Sequence, residues 1–489
     1  MAITENAPNP TTAQGICIAF EDPWSVDNAS SGATAATWTR LDDPSVASLS
    51  IGGVGINSPS HVVVSWSVDR GRQYELDTTQ TGTASIQLVD TSGLFNPTGT
   101  APYASSLGSM KRAVINVQDP VTGVYSDVFS GYVSTYTWSY ADQSKSTMLV
   151  QIDLVDGFDI LNRAELVPDT TGETILLGQQ VDDRIFLLLD DAGWPIDTAG
   201  SAVPLVSINT GNVSCIGYQY NSGTQILSAI QDAADAEFPG VSNFYMDRHG
   251  NATFRGRWPR FQPEAYPNQV KFWNVGDYDY AETFGYAPIS DMQWMIDQTL
   301  LYNACLCYPY NFLQFGYPGQ FTDDATSIGF YGVRQITLND LLCNGANADP
   351  TTDHGGPYSA TDGPTECFAY AQYYVDNFKL PVIRLSSITF KTVDPNGGTP
   401  NAALWEMLCN IDIGDVLNVY STIPGGGGIN PNTTILGGLE YIGNQFFVDG
   451  IHHQVNPLNQ GYPDWTMTLD LSPRSWYSTF KGVTWYQAP

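Results

Sequence analysis

The stretch VDRGRQYELDTTQTGTASIQLVDTSGLFNPTG, residues 68–99, places a cluster of charges just before an alternating run. The charges are Arg70, Arg72, Glu75 and Asp77, and the run is TASIQLVD, in which apolar and polar residues alternate. A period of two predicts a β-strand with one buried face, and the Gly, Asn and Pro residues that follow predict a turn. The stretch therefore predicts a strand of a sheet with mixed charge at its start.

The same alternation recurs on both sides of this stretch. The further runs are HVVVSWSV (61–68), RAVINVQD (112–119), DVFSGYVSTYTWSY (127–140) and TMLVQIDLVD (147–156). Short strands separated by turn residues predict an antiparallel barrel or sandwich. Residues 1–167 are therefore predicted to form an N-terminal β domain.

The pattern changes in residues 168–260. LGQQVDDRIFLLLDDAGWP predicts a short helix, and SGTQILSAIQDAADAEFPG predicts an amphipathic helix. NFYMDRHGNATFRGRW predicts a hairpin. We expect a small α/β insert here, followed by a second β domain over residues 261–489.

The second β domain is expected to carry a long loop insertion at about residues 300–365, then a helix in TECFAYAQYYVDNF. DVFSGYVSTY (127–136) and FFVDGIHHQV (446–455) share a glycine-centred pattern, and each precedes another strand. The match indicates either chance or an internal duplication. A duplication would give two tandem barrels, with which three chains could build a pseudo-sixfold ring.

The composition excludes several classes of function. With 50 acids against 19 bases, the formal net charge is −31, which argues against affinity for nucleic acid. A high net negative charge also keeps a protein soluble, and this is the alternative interpretation of the value of −31. The first residues lack the pattern of a signal peptide, and no run of eighteen apolar residues occurs, so we expect no membrane insertion. Seven scattered cysteines predict reduced, buried thiols in a protein made in a cytosol.

No sequence motif supports an enzyme, a metal site or a cofactor. The chain lacks G-x-S-x-G, a P-loop and HExxH. The adjacent His452 and His453 are expected on opposite faces of a strand, so they cannot share one metal ion. Cys305 and Cys307 could join Cys343 or Cys367 on a metal, with core packing as the alternative. We predict no catalytic residues, no metal and no cofactor.

A cluster of four arginines is unusual in a chain with so few bases. Arg248, Arg255, Arg257 and Arg260 lie within the predicted hairpin and just after it. They are a candidate docking patch for an acidic partner, or else the solvated face of a hairpin. The aromatic content of 12% fits core packing and subunit contacts, and sugar binding is the other reading.

The run RGRQYELDTTQTGTASIQLVDTSGLFNPTG, with APY at 101–103 and VFSGYV, resembles minor tail proteins of long-tailed phages. The resemblance continues at intervals through DGFDILNRAEL, DAGWP, GFYGVRQITLNDLL and IDIGDVLNV. It implies tube-like β domains and the trimeric hub that closes the tail tube at the tail tip. The segment from residue 300 to 365 is longer than that family usually carries.

From this resemblance we expect a structural virion protein that is made in the host cytoplasm and located at the tail tip. Its expected partners are two further copies, the distal tail ring, the tape measure protein and other tip proteins, and DNA is expected to pass without specific binding. Arg70, Arg72, Glu75 and Asp77 are predicted to set the register between neighbouring subunits, and the alternative is that they cap local turns of the first barrel. A distal tail ring component, and a host cell-wall carbohydrate binder or hydrolase, are the alternative functions.

Overall fold

Strands account for most of the regular structure in the computed structural model. It describes residues 14–19, 38–40, 61–90, 93, 95–98, 107–119, 121–141, 143, 147–167, 174–176, 178–196, 205–295, 298–310, 320–343, 366–381, 384–392, 401–423, 427–429, 445–459, 462–474, 477–480 and 483–486. The chain is mainly β, as the sequence predicts.

The strands are numbered in chain order. They are β1 (Gln14–Ala19), β2 (Trp38–Arg40), β3 (His61–Gly71), β4 (Gln80–Asp90), β5 (Arg112–Gln118), β6 (Tyr125–Tyr140), β7 (Met148–Val155), β8 (Thr174–Leu176), β9 (Val206–Ile208), β10 (Tyr218–Tyr220), β11 (Asn243–Met246), β12 (Ala252–Arg255), β13 (Phe272–Gly276), β14 (Ala287–Pro288), β15 (Asp291–Met295), β16 (Ala304–Pro309), β17 (Gln320–Asp323), β18 (Gln335–Leu341), β19 (Arg384–Lys391), β20 (Val416–Ile423), β21 (Gly427–Ile429), β22 (Gln445–Asn459), β23 (Tyr462–Pro473), β24 (Tyr477–Phe480) and β25 (Val483–Tyr486).

The described residues also form eight α-helices, several of which begin at a side-chain cap. They are α1 (Gly157–Arg163), α2 (Val181–Asp191), α3 (Ile226–Glu237), α4 (Arg257–Phe261), α5 (Tyr278–Phe284), α6 (Ala325–Tyr331), α7 (Glu366–Phe378) and α8 (Ala402–Asn410). The side chains of Asp156, Asp277 and Asn401 accept hydrogen bonds from the first-turn backbone amides of α1, α5 and α8. Such caps satisfy amides that otherwise lack a partner.

Fifteen strands form one hydrogen-bonded sheet. Its main path runs β14-β13-β20-β22-β3-β4-β7-β6-β5-β1-β2, and β23, β19 and β15 branch from β22. The described strands do not close into a barrel. Strands from the first 155 residues thus continue directly into strands from the last 80, through the antiparallel pairing of β3 with β22.

The described residues form two large hydrophobic cores and a small third cluster of Val270, Val416 and Phe447. The first lies against the large sheet and contains three tryptophans. The ring centroid of Trp465 lies 5.4 Å from that of Trp66 and 5.9 Å from that of Trp405. The second joins α1, α2, α3 and the β11–β12 hairpin to residues from 300 to 378. Residues 300–310, 320–343 and 366–378 therefore pack on the α/β insert, although they follow the predicted boundary at residue 261. The domain boundaries themselves stay a prediction.

The local patterns are confirmed in most places. The predicted amphipathic helix is α3, and the residues of its apolar face, Ile226, Leu227, Ile230, Ala233 and Ala234, are buried. The hairpin is β11–β12, and the helix after residue 365 is α7. Part of the predicted insertion, residues 311–319 and 344–365, lies outside the described residues, as do APY at 101–103 and His354.

The proposed duplication compares β6–β7 with β22–β23. Both are antiparallel pairs. Ile152 pairs with Tyr136 in the first, whereas Leu469 pairs with Ile451 in the second. The registers relative to the two glycines therefore differ, and the duplication stays a prediction.

Candidate functional site

The antiparallel pairing of β3 with β22, called the crossing below, requires glycine in the middle of the Arg-Gly-Arg motif. Gly71 pairs with Gly450 at this crossing. Its φ is +100°, and a Cβ there would collide with the carbonyl oxygen of Asp449. Because L side chains rarely adopt this conformation and no space exists for one, only glycine fits at position 71, where the pairing of the two strands begins. Arg70 and Arg72 are thereby fixed on either side of the junction.

Asp449 is the carboxylate that binds the second arginine of the motif. Arg72 donates to its Oδ1 from Nε at 3.1 Å and from Nη2 at 3.0 Å, and Arg260 of α4 donates to the same oxygen at 3.1 Å. Burial opposes ionisation of Asp449, but the Arg260 and Arg72 guanidinium groups outweigh it and lower its pKa to about 2. This buried charge cluster ties both halves of the sheet to the insert.

Asp412 is the carboxylate that binds Arg70, the first arginine of the motif. Arg70 donates from Nη1 to its Oδ1 at 3.0 Å, and the backbone amide of Arg248 donates to its Oδ2 at 3.1 Å. The Arg248 side chain donates to the carbonyl oxygen of Cys409 at 2.7 Å. Burial opposes ionisation of Asp412, but Arg70 and Arg248 together keep its pKa below the ordinary value. The hairpin β11–β12 is thereby attached to the loop after α8.

The other two arginines of the cluster are also bound within the chain. Arg257 donates to Glu237 of α3 at 2.8 Å and to Glu366 of α7 at 3.1 Å. Arg255 donates to the carbonyl oxygen of Ser207 at 2.9 Å. These two guanidinium groups therefore join elements of the insert to one another and to α7.

The predicted interface residues differ in their exposure. Arg70, Arg72 and Glu75 are buried, whereas Asp77 is exposed and accepts a hydrogen bond from the backbone amide of Tyr74. The two arginines use their charges inside their own chain. A role at a subunit interface stays a prediction. Among these four residues, Asp77 is the one exposed to a neighbouring subunit's reach.

The arginine cluster likewise departs from the expectation of a docking patch. Arg257 is buried, while Arg248, Arg255 and Arg260 are half-buried and hydrogen-bonded to other parts of the chain. Each of these four guanidinium groups already donates to another part of the chain. Docking of an acidic partner at this cluster stays a prediction. The sequence had not identified Asp412 and Asp449 as their partners.

A polar groove of about 510 Å³ runs across the strands beside the junction. Its polar lining consists of Ser67 and Asp69 of β3, Thr83 and Ser85 of β4, Ser134 of β6, Asp153 of β7, His452 and Gln454 of β22, and Thr466 and Thr468 of β23. Side chains alternate between the faces of a strand, so the intervening residues, such as Trp66 and Ile86, belong to the core.

His452 connects three strands within this groove. Its Nδ1 lies 2.9 Å from Oδ1 of Asp69 on β3, and its Nε2 lies 2.8 Å from Oδ2 of Asp470 on β23. Hydrogen bonds to these two carboxylates raise the pKa of His452 to about 10. His453 points to the other face, where its Nδ1 accepts a hydrogen bond from Trp465 at 3.0 Å. The predicted opposite orientation of the two histidines is confirmed.

The charge of the groove is mainly negative. Asp69 and Asp153 line it together with the His452 imidazolium, and Asp470 lies behind that ring. The hydrogen bond from His452 lowers the pKa of Asp69, which keeps this carboxylate ionised. None of the lining residues is Lys or Arg. Such a surface offers hydroxyl groups and carboxylates, and it repels a phosphate backbone.

The cysteines with described side chains are free and buried. They are Cys215, Cys305, Cys307, Cys343, Cys367 and Cys409. Cys343 and Cys367 approach each other, with their Sγ atoms 3.8 Å apart. Within the described parts of the chain, no group of three or more His, Cys, Asp or Glu side chains is arranged to hold a metal ion. In the same parts, no helix is long and apolar enough to cross a membrane.

Comparisons with known proteins give similarity in structure alone. No protein-family model and no curated protein matches the chain. The tail protein from Neisseria meningitidis MC58 is similar at 11% identity and a TM-score of 0.46, over 94% of this chain and 97% of that chain. The 43 kDa tail protein of prophage MuSo2 from Shewanella oneidensis is similar at 10% identity and a TM-score of 0.46, over 94% and 98%.

A third similar structure is the prophage tail protein gp18 from Listeria monocytogenes EGD-e. Its identity is 10% and its TM-score 0.43, over 94% of this chain and 95% of that chain. At such identities and scores, the likeness assigns no function to this chain.

Proposed function

We propose that the chain is a structural protein of a phage tail, which forms the hub of the tail tip as a homotrimer. In this role it joins the distal tail ring and the tape measure protein to the host-binding parts of the tip. The observation that carries the proposal is the use of the Arg-Gly-Arg motif. The residues that carry the sequence resemblance, Arg70, Gly71 and Arg72, hold the crossing at which both halves of the sheet become continuous.

A joint that transmits force between tail parts requires a stiff connection between the two halves of the sheet. Arg72 and Asp449 are buried together, and Arg260 adds a second cation from the insert. We infer that this buried ion pair specifies one arrangement of the strands, because each alternative would leave a charge without a partner. The proposal therefore assigns the motif to rigidity within the subunit.

The polar groove is the candidate lining of the DNA exit channel. It presents hydroxyl groups and carboxylates and no Lys or Arg among its lining residues. DNA is retained by cations that replace its counterions, so a lining without them lets the strand pass. The net charge of −31 acts in the same direction over a longer range. This role requires no reaction, and the proposal includes none.

The experiment is a nonsense codon in the gene for this chain, complemented in trans. Without complementation, the proposal predicts filled heads and defective tails, with infectivity restored by the wild-type chain. Antibody against the chain should bind purified tails at one end. Particles that are complete and infectious without the chain would contradict a structural role in the tail.

A further inference from the structure

A small cavity lies between the β11–β12 hairpin, helix α4 and strand β22. Its volume is about 30 Å³. One ordered water needs about 10–15 Å³, so the cavity holds about two waters or one small ion and is too small for a sugar or a nucleotide. The polar residues of its lining are Asn243, Tyr245, Arg255, Arg260, Gln269 and Asp449.

Two amide groups of this lining offer N–H donors to the cavity. The amide oxygen of Asn243 accepts a hydrogen bond from the Thr79 hydroxyl at 2.7 Å, and that of Gln269 accepts one from the Asn209 amide at 2.5 Å. Each oxygen is thus occupied, whereas the two NH2 groups make no hydrogen bond within the described residues. Both side chains are half-buried, so ions from the solvent can reach them.

Two further donors of the lining are buried. The Nε–H group of Arg255 has no hydrogen-bond partner in the described part of the chain. The hydroxyl of Tyr245, a residue that is 3% exposed, makes no hydrogen bond there either, and its oxygen lies 3.9 Å from the position of a Cβ on Gly414. Burial raises the pKa of Tyr245, so this hydroxyl keeps its proton and stays a donor. Unpaired buried donors are costly, and these two indicate a ligand that accepts hydrogen bonds.

The cavity also has an excess of positive charge. Arg255 donates to the carbonyl oxygen of Ser207 at 2.9 Å and to its hydroxyl at 3.1 Å, and no carboxylate of the described residues pairs with it. Arg260 has Asp449 as its partner, but it shares this carboxylate with Arg72. Asp449 is the one acid among the lining residues. One guanidinium group at the cavity is therefore left without a counter-ion.

Three other acids lie nearby, outside the lining, and each is bound elsewhere. Asp412 binds Arg70, and Asp415 accepts a hydrogen bond from the indole N–H of Trp273. Asp247 accepts hydrogen bonds from backbone amides of its own hairpin turn. None of these contacts supplies a counter-ion for the unpaired guanidinium group.

We propose that this cavity binds one small monovalent anion of the size of chloride. An anion accepts hydrogen bonds from several donors at once and has no proton to place, whereas a water molecule must also find acceptors for its own two protons. The carboxylate of the lining, Asp449, already accepts hydrogen bonds from Arg72 and Arg260. The bound anion compensates the charge of Arg255 and joins the β11–β12 hairpin to Gln269. The inference is independent of the proposed tail function.

The experiment measures the line width of the chloride NMR signal in solutions of the purified full-length chain. Sodium chloride is titrated from about 1 to about 300 mM, and sodium gluconate, whose anion is larger than the cavity, keeps the ionic strength constant. We expect bound chloride, obtained from the excess line width, to saturate with a midpoint below about 100 mM. If bound chloride rises only in proportion to its concentration, or if no excess width occurs, the cavity holds water and the proposal is overturned.

Two variants assign the binding to this cavity. Tyr245→Phe removes one hydroxyl donor and keeps the ring, so it should weaken chloride binding by about fivefold, the effect of one hydrogen bond. Gln269→Glu replaces an amide donor by a carboxylate, whose like charge should abolish the saturable component. Unfolding midpoints close to that of the wild type verify that each variant is folded.

Tyr220→Phe is the matched control. Tyr220 is also 3% exposed, but its hydroxyl donates to the carbonyl oxygen of Ala229 and does not line the cavity. Its replacement should leave the affinity for chloride within about twofold, which is below the effect of one hydrogen bond. Equal losses in Tyr220→Phe and Tyr245→Phe, or unchanged binding in Gln269→Glu, would also overturn the proposal.

Discussion

Replacing Asp449 by Asn removes the negative charge that the buried Arg72 and the half-buried Arg260 share. The side chains of Arg72 and Asp449 are 2% and 1% exposed, and that of Arg260 is 14% exposed. Removal of one partner of a buried pair costs about 3–5 kcal/mol of stability, because the remaining charge is left uncompensated. The decrease in the Asp449 pKa from 3.8 to about 2 corresponds to about 2 kcal/mol in favour of the ionised form. We therefore expect Asp449→Asn to lower the free energy of unfolding by about 2–5 kcal/mol.

The loss should be concentrated at the crossing of β3 and β22. Hydrogen–deuterium exchange should accelerate in peptides that cover these two strands, and chemical denaturation should give the change in stability. Asp159→Asn is the control, since Asp159 pairs with an Arg163 side chain that is 75% exposed. A solvent-exposed i,i+4 pair on a helix contributes below about 1 kcal/mol.

The pH dependence supplies a second test of the same pair. The folded pKa is lowered, so the stabilisation by Asp449 is present above pH 3.8 and is lost as the pH falls towards about 2. The difference between wild type and Asp449→Asn should shrink over that interval. If Asp449→Asn costs no more than Asp159→Asn at neutral pH, the account of the junction is wrong.

Four further experiments test Gly71, His452, the buried cysteines and the polar groove. Gly71→Ala should destabilise the chain far more than Gly93→Ala, as measured by thermal unfolding, because both glycines have positive φ but only Gly71 faces the Asp449 carbonyl; equal losses would contradict the crossing. The stability difference between wild type and His452→Gln should be constant below pH 6.5 and disappear as the pH rises through about 10, since the folded pKa of His452 is raised; a constant difference across that range would contradict the ion pairs of His452 with Asp69 and Asp470. Burial raises the pKa of Cys215, Cys305 and Cys409 to about 12, so these thiols should react with a disulfide reagent only after denaturation. A chelator should leave the unfolding midpoint unchanged, and fast labelling of the native chain would contradict the burial of these thiols. Asp153→Lys with Gln454→Lys should slow DNA delivery by assembled particles, whereas Asp183→Lys, outside the groove lining, should not; unchanged delivery by the double variant would argue against a channel lining.

Much of the secondary structure follows from local patterns. The alternation in TASIQLVD predicts β4, and the apolar face of residues 226–234 predicts α3, because burial on one side selects the period. The helix α8 is missing from the sequence-based prediction, although its N-cap Asn401 is a start signal. Its apolar residues are also compatible with a buried strand, so the periodicity alone does not decide between the two.

The candidate site is less accessible to sequence reasoning, because its partners lie far apart in the chain. Arg70 binds Asp412 across 342 positions, and Arg72 binds Asp449 across 377 positions. Charged residues are usually exposed, so the sequence alone predicts that Arg70 and Arg72 lie on the surface. Their burial becomes apparent only when their partners Asp412 and Asp449 are known. The Asp-Gly pair at residues 449–450 was a usable signal, since a glycine within a strand often marks the close approach of another backbone.

The central claim is that this chain forms the hub of a tail tip. Particle averages of tails that carry a tag at the C-terminus of this chain test it most directly. The account predicts three tags around the axis at the tip end of the tube. Six tags in a ring would indicate a distal tail ring component, and tags scattered on outward fibres would contradict the account.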